Sequence, residues 1–256
     1  MAAIAAALES RSALLALRRT LPKGGPGVVT CRSPAALRRL LERRLVDAVV
    51  VTPSPAWLRE LATLKDQLPG IPLVAYGPFR PDDGEMLLAC RTHAVESVAV
   101  EGVDDAVIGD MVARSSVTAA RRRALADAPR VLRLTEPLQR RAWDLLVGEV
   151  EKPVRTSGLA RRLEVSREHL SRQFGAGGAP NLKRVIDLTR IACAAQMLQN
   201  PGYGIPTVVR LLHFASSSHL SSTARRIANV PTTGLSALGP RGVLSAFARG
   251  NTRSRV

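Results

Sequence analysis

Residues 155–174 read Arg-Thr-Ser-Gly-Leu-Ala-Arg-Arg-Leu-Glu-Val-Ser-Arg-Glu-His-Leu-Ser-Arg-Gln-Phe. Arg167, Glu168, Ser171 and Arg172 stand there at helical spacing, and positions three and four apart share one face of a helix. Leu170 and Phe174 lie on the opposite side, so the four polar side chains form a free surface. Arg can hydrogen-bond guanine edges or a phosphate, and a short Ser can reach a base or a phosphate. A helix whose exposed face is short, polar and Arg-bearing can enter a major groove.

Such a face needs elements to hold it out. Leu159, Ala160 and Leu163 fall on one side of a preceding helix, and the small Ala160 lets a second helix cross closely. Glu164-Val165 makes the turn, with Val165 filling the space between the helices. Ser166 is suited to cap the second helix, and Leu170 and Phe174 anchor it to a core. Downstream, Asn181 to Gln199 reads as one long helix with Val185, Leu188, Ile191, Ala192, Ala195 and Leu198 on its apolar side. Gly202, Gly204 and Ile205 follow, then a short helix Thr207–Leu212 and His213-Phe214. Ala215-Ser216-Ser217-Ser218 caps another helix, running from about His219 to Ala228, before Asn229-Val230-Pro231-Thr232.

This order resembles the C-terminal domain of the AraC/XylS family of bacterial-type transcription regulators over about residues 140–238. LARRLEVSREHLSRQF matches the first helix-turn-helix. GGAPNLKRVIDLTRIACAAQML matches the long linker helix, with Arg190 and Ala194 where the family usually has Arg and Ala. IPTVVRLLHFASSSHLSSTARRIANVP matches the second unit. The resemblance implies two recognition helices in successive major grooves, about one helical turn of DNA apart. It puts base reading on Glu168, Ser171 and Arg172 in the first and on Ser217, Ser218 and Ser222 in the second. Arg167, Arg225 and Arg226 are phosphate-binding candidates. Double-stranded DNA is the implied partner, with RNA polymerase a further one.

The second unit departs from the family pattern. His213 replaces the usual Gly before Phe214, Leu220 and Ala224 occupy two usually aromatic core positions, and Asn229 replaces a Gly after the helix. Its outer face is nearly all Ser, without the Gln, Asn or Arg that make bidentate base contacts. The expectation is a thinner second unit that contacts backbone more than it discriminates sequence.

Charge agrees with that division. The chain of 256 residues carries a net charge of +16; residues 1–120 contribute +1 and residues 121–256 contribute +15. A polyanion partner for the second half follows. The enrichment in Arg and Ala over Lys by itself points to a GC-rich genome rather than a device.

In the first half, short apolar runs alternate with helical patterns. Gly27 to Thr30, Val46 to Thr52, Ile71 to Tyr76 and Val95 to Val100 read as four strands. Pro34 to Arg44 (capped by Ser33), Pro55 to Leu68, Asp82 to Arg91 and Asp104 to Ala113 read as helices. The alternation predicts a small doubly wound parallel sheet. It resembles the receiver fold of response regulators: Asp47 matches an acid that often opens the third strand, and Thr52 falls where a phosphoacceptor Asp would sit. Thr cannot form the acyl phosphate. No acidic pair follows the strand ending Thr30-Cys31-Arg32, and no Lys stands near Val100-Glu101. The resemblance therefore implies a degenerate receiver serving dimerisation or scaffolding, with small-ligand binding second.

The expected fold class is α/β plus all-α. A receiver-like domain with an N-terminal helix occupies 1–118, and a linker or connecting helix 119–138. The DNA-binding domain spans 139–238, and 239–256 is a basic tail with at most one short helix. Residues 1–19 read as an amphipathic helix rather than a signal peptide, and no apolar run approaches the ~20 residues of a membrane span. Cys31, Cys90 and Cys193 are isolated, which fits a reducing cytoplasm.

Other chemistry is poorly supplied. Lys23-Gly24-Gly25-Pro26-Gly27 lacks the end of a phosphate-binding loop and reads as a turn. His93, His169, His213 and His219 include no HExxH pair, so no metal or cofactor is expected. Asp82-Asp83 and Asp104-Asp105 read as helix N-terminal acids. No acid, base and nucleophile set converges, so no enzyme is expected. The leading reading is a sequence-specific DNA-binding regulator; the alternative is an architectural or weakly specific DNA binder.

Overall fold

The computed structural model describes residues 2–93, 95–150 and 154–253. The chain forms two compact units, residues 1–120 with 200–202, and residues 121–199 with 203–256.

The first unit is a five-stranded, all-parallel sheet in the order β2-β1-β3-β4-β5, the flavodoxin-like doubly wound arrangement. Its strands are β1 (Ala3–Ala7), β2 (Gly27–Thr30), β3 (Val46–Val51), β4 (Leu73–Gly77) and β5 (Ser97–Val100). Between and after them run α1 (Arg11–Thr20), α2 (Pro34–Arg43), α3 (Pro55–Gln67), α4 (Gly84–Thr92) and α5 (Ile108–Ser115). The expected small doubly wound domain is present.

The N-terminus differs from expectation. Residues 3–7 form not a helix but a strand, flanked by β2 and β3, with every residue buried. Ala-Ile-Ala-Ala-Ala favours helix by intrinsic propensity. A strand covered on both faces needs only apolar side chains, and these small ones fit. The amphipathic helix starts later, at Ser10, whose hydroxyl accepts the Ala13 N–H. The strand at Gly27–Thr30 is consequently second in the chain.

Ser33 and Ser54 cap α2 and α3, each followed by Pro in the first turn. Gly109 is needed for close approach: a Cβ there would lie 2.3 Å from the backbone of Thr20 and Leu21, and its N–H donates to Thr20 Oγ1 at 2.9 Å. Asp104 and Asp105 do not begin a helix. Asp104 accepts the Val100 N–H, and Asp105 accepts the Gly102 N–H and the Tyr76 hydroxyl. These bonds brace the turn between β5 and α5. They also hold the Asp105 carboxyl below its ordinary pKa, the Tyr76 bond contributing most. Asp47, buried in β3, accepts the N–H and hydroxyl of Thr118.

The second unit is helical. Its members are α6 (Val117–Ala124, straddling the boundary), α7 (Ala128–Val131), α8 (Pro137–Gly148), α9 (Thr156–Arg162), α10 (Arg167–Gly175), α11 (Leu182–Leu198), α12 (Ile205–Leu211), α13 (Ser217–Ala228) and α14 (Leu235–Arg253). Asn181 caps α11 by accepting the Arg184 N–H. The apolar stripe expected on α11 is in fact buried nearly all round, including Ile186, Cys193, Ala194 and Met197, as suits a helix at the centre of a bundle.

Two segments expected to be peripheral belong to this core. Within 119–138, Leu125, Ala128, Leu132 and Leu134 are buried. Arg121, also buried, donates to Val147 O, Cys193 Sγ and Gln196 Oε1. The stretch from 239 is not a loose tail. Through Arg253 it continues α14, with Val243, Leu244 and Phe247 buried. Gly239 (φ +57°) and Pro240 mark a kink rather than an end. Pro in the opening turn of the renewed helix forfeits no hydrogen bond. Residues 254–256 lie outside the described residues.

Candidate nucleic-acid interface

The first helix-turn-helix pairs α9 with α10. Leu159, Ala160, Leu163, Leu170 and Phe174 are all buried, and Gln139 of α8 donates from Nε2 to the Gln173 carbonyl at 2.8 Å. The chain reverses at Leu163-Glu164-Val165. Glu164 is left-handed (φ +58°); its N–H bonds Arg161 O, and the Val165 N–H bonds Ala160 O at 3.0 Å. The Ser166 hydroxyl accepts the His169 N–H at 3.1 Å, which is the expected cap.

The second pairs α12 with α13, and repeats that turn. His213 is left-handed (φ +54°); its N–H bonds Arg210 O, and the Phe214 N–H bonds Val209 O at 2.9 Å. Ser216 caps α13 by accepting the His219 N–H. Both helices of this unit begin two residues earlier than expected, at Ile205 and Ser217. Leu220 and Ala224, on the inner side of α13, are fully buried. Asn229 is left-handed (φ +56°) and closes α13. A left-handed non-Gly residue costs roughly 1–2 kcal/mol. Glu164 and His213 carry that strain where a Gly would not, so both turns are held by their surroundings.

Arg167, Glu168, Ser171 and Arg172 are all exposed on α10, joined there by His169. On α13, Ser217, Ser218, Ser222 and Arg225 are exposed, and the Ser222 hydroxyl donates back to His219 O. Arg226 differs. Its side chain is half exposed, yet Nη2 pairs with Asp187 Oδ2 of α11 at 2.8 Å. Its geometry is that of a tie within the bundle, so a phosphate would have to compete with a buried carboxylate. Sequence patterning missed this pair. It also missed the role of Arg190, which donates from Nη2 to Leu212 O and His213 O, both at 2.9 Å. The Arg190 guanidinium carbon lies 4.0 Å from the Phe214 ring centroid.

In the first unit, the carboxyl ends of β1, β3, β4 and β5 border a cleft of about 470 Å³ whose lining includes Glu9, Thr52, Phe79, Asp83, Met86 and Glu101. Thr52 Oγ1 donates to Tyr76 O at 3.1 Å and accepts the Glu9 N–H at 3.3 Å. Glu101 accepts the hydroxyls of Ser10 and Ser12. With β1 at residues 3–7, the first strand is followed by Leu8-Glu9-Ser10, a single acid rather than a pair. Three acids, Glu9, Asp83 and Glu101, and the committed Thr52 hydroxyl line the cleft. Among the described residues no group of three or more His, Cys, Asp or Glu could hold a metal ion.

No protein-family model matches the sequence, and no curated protein matches it. Among the solved structures similar to this chain are the following two. One is the RcsB response regulator of Salmonella typhimurium, from work on conformational dynamism for DNA interaction. It is 14% identical, with 73% of this chain and 98% of that chain covered and a TM-score of 0.37. The other is full-length FixJ of B. japonicum, 16% identical, with 88% of this chain and 96% of that chain covered and a TM-score of 0.36.

Proposed function

We propose that the protein is a sequence-specific DNA-binding transcription regulator of AraC/XylS type, with a receiver-like domain that dimerises or takes signal input. The carrying observation is the turn built twice, at Glu164 and at His213, each presenting an exposed polar helix. Both sit in the half of the chain that contributes nearly all the net charge. α10 reads bases with Glu168, Ser171 and Arg172, while Arg167 and Arg225 meet phosphates. α13 contributes Ser217, Ser218 and Ser222. RNA polymerase is the further partner this reading implies, the location is cytoplasmic, and no catalytic step is assigned. Among the described residues no helix is long and apolar enough to cross a membrane.

The reading is tested by titrating salt against binding of a fluorescent duplex pool. Six to ten phosphate contacts predict a fall of about 10³–10⁵ in affinity between roughly 50 and 200 mM salt. Binding indifferent to salt, or none, contradicts it. The alternative, an architectural or weakly specific binder, is favoured by one observation: the exposed face of α13 offers Ser where bidentate readers would stand.

Dimerisation through the first unit is supported by an apolar edge. Leu87 and Leu88 on α4, Val98 on the edge strand β5, and Val103 and Val107 leading into α5 are exposed. Scattered exposed apolar residues need no explanation, but this grouping on successive elements does. Glu85 and Arg91 on α4 and Asp110 on α5 are also exposed. A two-fold contact can therefore pair opposite charges around the apolar centre. Sedimentation of the full chain should show a dimer that Val98→Lys converts to monomer; a wild-type monomer at every concentration sinks this part of the proposal.

A further inference from the structure

Helix α11 grips the second helix-turn-helix at two points one turn apart. At the first, the buried Asp187 carboxylate holds Arg226 near the end of α13. At the second, Arg190 spans the carbonyls of Leu212 and His213, the end of α12 and the left-handed turn residue, while stacking on Phe214. Carbonyls at a helix C-terminus have no partner inside the helix, and a cation there is also favoured by the helix dipole. Burial works against the Arg190 charge, and Asp187 offsets part of that.

We infer that Asp187 and Arg190 are positioning residues that set how α13 is presented to DNA. The second reader then takes its orientation from the linker helix rather than from its own core, which is thin at Leu220 and Ala224. The strained His213 contributes one of the two carbonyls that Arg190 holds, so the clamp fastens the turn itself. The first helix-turn-helix is built differently. Among the described residues no side chain bonds the corresponding carbonyls of Leu163 and Glu164. Loss of the clamp should therefore disable one reader and spare the other. As far as it concerns DNA, the inference rests on the function proposed above.

The test is Arg190→Met in the full chain, with two readouts. In the DNA-free protein, amide hydrogen exchange should accelerate in the α12–α13 turn and in α13, with α9 and α10 unchanged. On a duplex selected by the wild type, hydroxyl-radical footprinting should show protection lost over the α13 segment and kept over the α10 segment. Affinity should fall about 10-fold to 100-fold as phosphate contacts are lost. Arg190→Lys should not rescue, because an ammonium has no planar face to lie on the Phe214 ring as the guanidinium does. Asp187→Asn should give a weaker version of the same pattern, and it serves if Arg190→Met does not fold. Unchanged exchange in α13, or equal acceleration in α10 and α13, overturns the inference. Exchange that changes as expected in a protein that does not bind DNA upholds the clamp and sinks the DNA reading instead.

Discussion

Phe174→Ala will destabilise the helical unit by about 3–5 kcal/mol and remove DNA binding by its first reader. A fully buried Phe replaced by Ala loses its transfer free energy and leaves a cavity that the surroundings only partly fill. At this site two anchors hold α10 against the bundle, Phe174 and Leu170, both fully buried. The opposite face of α10 carries the exposed Arg167 and Arg172. The two tryptophans make the measurement direct. Trp57 lies in the first unit and the buried Trp143 in the second, so a Trp57→Phe background reports the helical unit alone. Denaturant unfolding should show the midpoint of the Trp143 signal shifted down with an unchanged slope. A loss below ~1 kcal/mol would mean that Phe174 is not the anchor described.

Arg172→Ala will cost about 1–3 kcal/mol at one base pair and relax selectivity there. Arg172 is exposed on α10 beside Ser171 and, among the described residues, makes no ion pair. Bidentate Arg to guanine is the commonest specific major-groove contact, and a truncated side chain cannot tell guanine from its neighbours. Arg167, one turn nearer the N-terminus of α10, should behave differently. Arg167→Ala should weaken all duplexes alike and lower the salt slope by about one. The pair of variants separates reading from charge, since both remove one positive charge from the same helix.

The first helix-turn-helix was legible because each of its parts leaves a local mark: Leu159, Ala160, Leu163, Leu170 and Phe174 at helical spacing, and Ser166 as a cap. The parallel sheet was legible from β-branched runs such as Val49-Val50-Val51. What was hidden depended on tertiary context. Ala3–Ala7 reads as helix because Ala favours helix, and only its place between β2 and β3 makes it a strand. Gly239-Pro240 reads as an end, yet Phe247 and Val243 beyond it are core. Arg226 reads as a phosphate ligand because its partner, Asp187, lies far away in sequence on α11. In sequence Arg190 marks only a position in the linker-helix pattern; its bonds to Leu212 and His213 exist only once the helices are packed. Long-range pairs of this kind leave no periodic trace.

Whether α10 and α13 read a specific duplex sequence is decided by selection from a random duplex pool with the full chain and with Arg172→Ala. Selection should enrich a motif of two parts about one helical turn apart, with sharper preference in the part under α10, and one position there flattened by Arg172→Ala. Retained, salt-sensitive binding with no enriched motif would contradict it and make the protein a general DNA binder.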